Sequence, residues 1–508
     1  MMPKKCFWAV LVAAMAAGVV VVCAGEEGAA GVGSLGLEDC VRLALERNLD
    51  LQVTRLERTE AEYDVGIARG AYDPEVTLEA GRTHTESAGE SGGTSEGVLG
   101  TMRTESDEDS LSAGVGGRLG VLGTRYELSA RNGETSGTRG GTGFETSTAR
   151  VGASITQPLL KGLRTDSARY QVRSAEMQSE EAALEVEQAA QSLLASVEKA
   201  WYGLLEARQS RAVQEEAVAL AEQLLADNRR KVKIGAMSVL DEKQAESQAA
   251  TARADLARAE QAVTQAENDL KMLVWADLRS VWRQEMSAEG VLEAPEEGAT
   301  APDAGIGMEN ALARRPELRR ARLALERQGL AVDLYRDQRL PGVDLKGGYG
   351  LAAAAADSMS DAWSTVADAD EPYWNVGVTV TIPIGNRAAR NRHLQSLAAQ
   401  DRARLQLRKL EESALAEVIN AAAAAEACLE RIAATRDAAE YAQDALNAEQ
   451  RKLEQGRSTS FVVLQLQKDL TAARQAETAA LADYHQALAD FSLAEGSMLE
   501  RHGIVMGE

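Results

Sequence analysis

The segment SLLASVEKAWYGLL, residues 192–205, indicates the fold class because its apolar side chains recur at steps of four and three. These side chains are Leu193, Val197, Trp201 and Leu204. The spacing places them on one face of a long helix that packs against neighbouring helices. The second half of the chain repeats the pattern at Val418, Ala422, Ala425, Leu429 and Ile432. An ordinary long antiparallel coiled coil has the same periodicity.

Proline is absent from two long stretches around these faces, Leu159–Ala294 and Ile384–Glu508. Both are rich in Ala, Glu, Gln, Leu and Arg, which are strong helix formers, whereas proline breaks a helix interior. We therefore predict one continuous helical path over Asp166–Lys233 and a second over Arg387–Glu454. At 1.5 Å per residue each path would be about 100 Å long. Helices of this length are typical of coiled coils.

Short runs of alternating apolar and polar residues precede each long helix and predict β-strands. Four runs give secure strands, at Val76–Ala80, Ala149–Ile155, Val343–Leu345 and Trp374–Ile382. Two more runs, Leu111–Leu119 and Tyr126–Ala130, predict an extra hairpin that turns at Gly120–Thr124. Strands with one apolar and one polar face fit a transmembrane β-barrel, and they fit a half-buried soluble sheet equally well.

Three polar segments between the strands are predicted to be solvated loops. They are Glu86–Ser110, Asn132–Ser147 and Ala352–Glu371. The first contains GTSEG at residues 93–97, which matches the hydrolase pattern G-x-S-x-G but lacks the required strand–turn–helix context. The four histidines are scattered, and no zinc, phosphate or dinucleotide motif occurs. We therefore expect no enzymatic activity, cofactor or metal.

The two halves of the chain share a repeated pattern. Matched segments are Ala44–Arg47 with Ala311–Arg314, Pro74–Leu78 with Pro341–Leu345, and Gly235 with Gly456. The first two pairs lie 267 positions apart and the last pair 221 positions apart. One unit of helix, sheet and long helical hairpin has therefore been copied, with a longer sheet region in the first copy. We assign the repeats to residues 25–305 and 306–508.

The N-terminus has the features of a secretory signal peptide. Two lysines precede an apolar run, Phe7–Val22, which is too short and wrongly flanked for a membrane span. We place cleavage after Ala24. The alternative is a lipoprotein acylated at Cys23, but the two bulky valines before that cysteine disfavour it.

Charge and cysteine content exclude other classes of protein. The net charge of −23 would repel phosphate backbones, so nucleic acid is a poor partner. Beyond the signal peptide only Cys40 and Cys428 remain, which is too few for a disulfide framework. No apolar stretch after the signal approaches the roughly 20 residues of a membrane helix. A membrane protein of this kind must use a closed β-barrel.

The turn of the first predicted hairpin carries recognisable helix-end signals. Lys233 complements the negative end of the incoming helix dipole, and Gly235 suits the left-handed position beyond that helix. Ser238 and Asp241 fit a capping box at the start of the outgoing helix.

Taken together, these segments resemble the TolC-like outer-membrane efflux protein family. Leu37–Asn48 is similar to the family's first helix, and Ala68–Pro74 to its entry into the first strand. Ile155–Gly162 and Thr381–Gly385 are similar to the junctions between strand and long helix, and Gly235–Asp241 to the hairpin tip. The resemblance extends from about Leu37 to about Leu499, almost the whole exported chain.

This resemblance implies an α+β membrane protein that assembles as a homotrimer. Its long helices would form a coiled-coil helical barrel, the periplasmic tunnel, continuous with a shared transmembrane β-barrel in outer-membrane lipid. The implied function is that of a passive conduit in a tripartite efflux or type I secretion system. A periplasmic adaptor (membrane fusion) protein and an inner-membrane transporter would dock near the hairpin tips. A periplasmic coiled-coil adaptor without a pore and an adhesin-like stalk are the alternatives.

Two features depart from the family pattern. Three chains of four strands give a 12-stranded barrel, whereas six strands per chain would give 18. The second tip has Val462 and Gln465 where well-studied members carry aspartates that line the narrowest point. Candidate tip and gate residues are Lys233, Gly235, Ser238, Asp241, Gly456 and Arg457. Asp241 matches an aspartate of the family's tip, so it is the candidate for a latch to basic groups on neighbouring hairpins.

Overall fold

A computed structural model describes residues 35–91, 100–139, 141–283, 286, 290–296, 298–355 and 358–504. The predicted signal peptide with Cys23 and the GTSEG segment at residues 93–97 lie outside these residues.

Helices dominate both halves of the chain, and all but one of them occur in the same order in each. The first half contains α1 (Leu37–Arg47), α2 (Leu49–Arg69), α3 (Ser167–Lys233), α4 (Val239–Val274) and α5 (Leu278–Val281). The second half contains α6 (Ala304–Arg314), α7 (Pro316–Asp337), α8 (Met359–Ala367), α9 (Arg387–Glu454), α10 (Ser460–Glu495) and α11 (Met498–Arg501). The predicted long helices are thus confirmed as α3 and α9, of 67 and 68 residues.

The long helices pair through the predicted apolar faces. Asp166 caps α3 by accepting a hydrogen bond from the Arg169 N–H at 2.7 Å. Val197, Trp201 and Leu204 on α3 are buried, and α3 packs against α2, α4 and α10. On α9 the repeated face is buried at Val418, Ala422, Ala425 and Ile432. Among the described residues, no helix combines the length and apolar content that a membrane span requires.

Six antiparallel strands form one sheet in chain order, from β1 to β6. They are β1 (Glu75–Ser91), β2 (Gly100–Arg118), β3 (Arg125–Arg139), β4 (Thr142–Pro158), β5 (Gly342–Ala355) and β6 (Pro372–Thr381). The predicted extra hairpin is confirmed as β2–β3, which closes at the pair Arg118 and Arg125. The described part of the second half contributes β5 and β6.

The predicted loops Glu86–Ser110 and Asn132–Ser147 are wrong where the structure describes them. Strand β1 continues to Ser91, β2 begins at Gly100, and β3 and β4 run through almost the whole second segment. In these outer halves both faces of the sheet are polar, so the sequence shows no apolar alternation. The strands are held instead by continuous backbone pairing, for example Ser87 with Thr104 and Ser136 with Glu145.

The predicted loop Ala352–Glu371 is also partly wrong. Strand β5 extends into it, and α8 occupies much of the remainder. Ser358 caps α8 through its hydroxyl, which accepts hydrogen bonds from the backbone N–H groups of Ser360 and Asp361. Ala362 and Val366 of α8 pack in a small core with Ala149 and Ala353 of the sheet. The short helix therefore covers one apolar part of β4 and β5.

One face of the sheet is apolar near its helical end and the opposite face is polar. The apolar row crosses all six strands in register, at Leu78, Ala113, Ala130, Val151, Leu351 and Pro372. On β6 the apolar side chains Trp374, Val376 and Val378 are 75%, 69% and 60% exposed. Among the residues that the structure describes, β1 and β6 each have one unpaired edge. A single chain therefore leaves an apolar surface and two strand edges uncovered.

Candidate functional site at the hairpin tips

The two helical hairpins end in turns with the same backbone hydrogen bonds. At the first tip, between α3 and α4, Gly235 has φ 74°, a left-handed conformation that favours glycine. Its N–H donates to the Val232 carbonyl at 3.0 Å, and the Ala236 N–H donates to the Lys231 carbonyl at 2.9 Å. This pattern is a Schellman motif, which ends a helix by satisfying its last carbonyls.

The second tip, between α9 and α10, repeats this motif 221 positions later. Gly456 has φ 72°, and its N–H donates to the Leu453 carbonyl at 3.1 Å. The Arg457 N–H donates to the Lys452 carbonyl at 2.8 Å. The structure therefore places Gly235 and Gly456 at equivalent turns, and Arg457 in the position that Ala236 occupies in the first tip.

The predicted capping box is present at the first tip. The Ser238 hydroxyl accepts a hydrogen bond from the Leu240 N–H at 3.1 Å, and the Asp241 carboxylate accepts one from the Ser238 N–H at 3.3 Å. At the second tip Thr459 occupies the equivalent N-cap position without a side-chain cap hydrogen bond. The two tips therefore share their helix-ending turn and differ in how the outgoing helix begins.

Most charged side chains near the first tip form ion pairs within the chain. Arg229 lies 3.3 Å from both Glu242 and Glu246, and Arg230 pairs with Asp227. Lys243, 2.8 Å from Glu246, lowers the pKa of that carboxyl below its ordinary value. Of these contacts, the ion pairs of Arg229 hold α3 to α4 beside the turn.

The carboxylate of Asp241 makes no ion pair with a basic side chain in the part of the chain that the structure describes. Lys233 and Arg457 are exposed, and across those same residues neither has an ion-pair partner. The structure thus brings Lys233, Gly235, Ser238 and Asp241 together at one tip and Gly456 and Arg457 at the other. The latch that the sequence predicts for Asp241 would have to form with another chain.

A buried polar contact between the two hairpins was not predicted from the sequence. Asn228 on α3 is fully buried, and its Oδ1 accepts a hydrogen bond from the Ser460 hydroxyl on α10 at 3.1 Å. The Asn228 Nδ2 lies 3.4 Å from the Asp241 carbonyl, and the Ser460 hydroxyl lies 3.6 Å from Met237 Sδ. One asparagine therefore contacts both arms of the first hairpin and the start of the second.

The sequence contains a signal that could have revealed this contact. Ala221, Leu224 and Leu225 are buried on α3, and Asn228 follows at the next step of the same spacing. A polar residue on an otherwise apolar face of a coiled coil commonly fixes the register of the helices. The spacing therefore marks Asn228 as a residue that makes a specific contact between helices.

The apolar residues of the turns are exposed at both tips. Ile234, Leu240 and Phe461 are 79%, 65% and 60% exposed. Val462 and Gln465 are also exposed, so the positions of the family's acidic ring are accessible but carry no carboxylate. The side-chain amide of Gln465 donates a hydrogen bond to the Asp469 carboxylate at 2.9 Å. The surface of the tips is thus apolar and basic.

Comparison with known proteins identifies the family. The sequence profile of the outer membrane efflux proteins matches residues 40–274 and 307–497. No curated protein sequence matches the chain. The chain therefore belongs to the outer membrane efflux protein family, and its predicted resemblance is confirmed. The protein is the outer-membrane channel component of an efflux system.

Solved structures of outer-membrane channels share the fold over 91% of this chain. The OprN channel has a TM-score of 0.67 at 18% identity, with 90% of its own chain covered. The CmeC channel of Campylobacter jejuni has a TM-score of 0.65 at 16% identity and 85% coverage. The MtrE channel of Neisseria gonorrhoeae, solved in its open state, has a TM-score of 0.61 at 19% identity and 89% coverage.

Proposed function

We propose that three copies of this chain assemble into one continuous duct through the outer membrane and the periplasm. The observation that carries the proposal is the open sheet, with an exposed apolar face and an unpaired edge on each of β1 and β6. Unpaired strand edges do not occur in the hydrocarbon of a bilayer, because their N–H and C=O groups would lack partners. Pairing β6 of one copy with β1 of the next removes every such edge.

The number and direction of the strands fit this closure. Six antiparallel strands place β1 and β6 in opposite directions, so a neighbouring copy continues the antiparallel pattern. Three copies then form a barrel of 18 strands. Barrel diameter grows roughly linearly with strand number, so this barrel would be about 1.5 times as wide as one of 12 strands.

The long helices would form the periplasmic part of the duct. Each chain supplies four helical paths, α3, α4, α9 and α10, whose lengths agree closely between the two halves. The pairs α1–α2 and α6–α7 agree in the same way, which supports duplication of one unit. The predicted start of the second repeat, at residue 306, falls in the first turn of α6, which begins at Ala304 with Asp303 as its cap.

The hairpin tips would serve as the periplasmic entrance and the docking surface. Their exposed apolar and basic residues suit a periplasmic adaptor protein, which would couple the duct to an inner-membrane transporter of an efflux or type I secretion system. The duct itself would be passive and would need no catalytic residue. Asp241 is the proposed latch between neighbouring chains at this entrance.

Disulfide cross-linking of the two sheet edges tests the assembly. In one chain β1 and β6 are five strand spacings apart, about 24 Å, which no disulfide can bridge. Single cysteines at Val76–Ala80 combined with single cysteines at Val376–Val380, in a Cys428→Ser background, therefore report only contacts between chains. We expect oxidation of the correct pairs to give linked species up to three chains. Monomers at every pair would contradict the proposal.

A further inference from the structure

The outer halves of β1 and β2 carry a row of charged side chains on the face that is apolar nearer the helices. Along β1 this face passes from Val76 and Leu78 to Arg82, His84 and Glu86, because alternate residues of a strand share a face. Their partners on β2 are in register, with Arg82 opposite Asp109, His84 opposite Asp107, and Glu86 opposite Glu105.

Two carboxylates oppose each other in this row. Like charges directly opposite on neighbouring strands are destabilising, and Glu86 and Glu105 form such a pair. Arg103 lies 3.1 Å from Glu86 Oε2 and engages only that oxygen. Among the described side chains, Glu105 has no ion-pair or hydrogen-bond partner. The arrangement therefore leaves two carboxylates that an added cation would stabilise.

His84 is oriented toward the same point. Its Nδ1 donates to Asp107 Oδ1 at 2.8 Å, since the ionised carboxylate can only accept. Arg82 lies 3.8 Å from the other Asp107 oxygen and helps to fix it. The ring Nε2 lies 3.6 Å from Glu86 Oε1, and a metal ion held between these two atoms would take the Nε2 lone pair in place of a proton. In metal-binding histidines the N–H of the second ring nitrogen characteristically donates a hydrogen bond to a carboxylate in this way.

We propose that His84, Glu86 and Glu105 bind a divalent transition-metal ion of the zinc type, with Asp107 orienting the imidazole. One ligand atom from each of the three lies within 4.8 Å of the others. Zinc takes such nitrogen and oxygen ligands at about 2.0–2.2 Å, so rotation of these exposed side chains must close the gaps by roughly 1 Å. A site with one imidazole and two carboxylates favours zinc-like ions over magnesium or calcium, which prefer oxygen alone.

The bound ion would join β1 to β2 where neither face of the sheet is apolar. It would replace the repulsion between Glu86 and Glu105 with shared coordination, and water would complete the open positions. These strand halves extend away from the helices, so under the proposed assembly the ion would come from the external medium. The metal site itself depends only on the β1–β2 pairing and does not depend on the trimer.

Zinc titration of the full-length, untagged protein in detergent tests the proposal. After treatment with a chelator, calorimetry should show one Zn²⁺ per chain. His84→Gln and Glu105→Gln should each abolish this binding, and Asp107→Asn should weaken it by about 10–100-fold. Glu145→Gln is the matched control, because Glu145 is an exposed carboxylate on β4, two strands from β2 on the same sheet, and this variant should bind zinc like the unaltered protein.

X-ray absorption at the zinc edge gives a second measurement on the unaltered protein, in case a variant fails to assemble. We expect a shell of oxygen ligands with one imidazole. Absence of stoichiometric binding, binding that His84→Gln leaves unchanged, or a shell without imidazole would each overturn the proposal and leave the row as ion pairs alone.

Discussion

The hydroxyl of Ser460 donates a hydrogen bond to the fully buried side chain of Asn228, 3.1 Å away, and thereby joins the two helical hairpins next to their tips. Buried polar groups need partners, because a donor or acceptor left unsatisfied in the interior costs about 1–3 kcal/mol. The contact therefore specifies how α3 and α10 align at the end where the duct would open.

Removal of this contact should loosen the tips. We expect Asn228→Ala to destabilise the protein by about 1–3 kcal/mol, because the Ser460 hydroxyl would lose its buried partner. Hydrogen exchange should increase at the two tips and remain unchanged along the rest of α3. Asn447→Ala is the control, since Asn447 is exposed on α9. Equal exchange in the two variants would show that Asn228 does not hold the hairpins together.

The roles of Asp241 as a helix cap and as a latch can be separated. Both Ser238 and Asp241 belong to the capping box, so either change to alanine should cost roughly 1 kcal/mol. A latch between chains would depend on Asp241 alone. We therefore expect Asp241→Ala, but not Ser238→Ala, to raise resting conductance and the uptake of large antibiotics. If the two variants conduct equally, Asp241 is only a cap.

A half-buried carboxyl on α3 predicts a pH-dependent stability. Burial, and secondly the nearby Asp483 carboxylate, raise the pKa of Glu206 above its ordinary value of 4.5. The folded protein therefore favours the protonated form, whose stabilising contribution is complete below pH 4.5 and is lost as pH rises through the folded pKa. Glu206→Gln, which resembles the protonated acid, should melt at a higher temperature than the unaltered protein at pH 7.

The same variant should lose its advantage in acid. Near pH 4 both proteins carry an uncharged side chain at position 206, so thermal unfolding should give the same melting temperature. Glu430→Gln, an exposed change on α9, should leave the melting temperature unchanged at both pH values. A constant difference between Glu206→Gln and the unaltered protein across this range would show that the effect is not electrostatic.

The sequence predicted the long helices well because their signals are local and repeated. Propensity and the absence of proline placed the end of α3 at Lys233 and both ends of α9, and the glycine at each tip marked the turn. The apolar stretch of each strand was also visible, including the extra hairpin. Each of these elements has an apolar face that packs against protein or would contact lipid. Apolar residues therefore recur in the sequence at the period of the helix or strand.

The outer strand halves could not be predicted in the same way, and for the tip contact the sequence marks Asn228 but not its partner Ser460. From Arg82 onward β1 has no apolar face, so its pairing with β2 depends on backbone bonds between residues that are distant in sequence. Asn228 and Ser460 are 232 positions apart, and only the packing of α3 on α10 brings them together. Interactions of this kind have no period in a single sequence.

Site-specific labelling tests whether β2 and β3 belong to the barrel wall. Leu111 and Leu128 lie on the apolar face, and Ser112 and Ser129 on the polar face. Single cysteines at the first two positions should react with a lipid-soluble reagent, and cysteines at the other two with a water-soluble reagent. Cysteines on β6 provide the reference. Uniform reaction with the water-soluble reagent would place the hairpin outside the membrane and reduce the barrel to 12 strands.

The most direct measurement is the conductance of the purified, assembled protein in a planar lipid bilayer. A duct formed by three copies should give discrete single-channel steps, with weak conduction at rest because the proposed Asp241 latch would hold the tips closed. Asp241→Ala should increase the fraction of time for which the channel is open. Ions should still pass through the barrel, because the polar face of the sheet would line it. An assembled protein that inserts into the bilayer and never conducts would contradict the account.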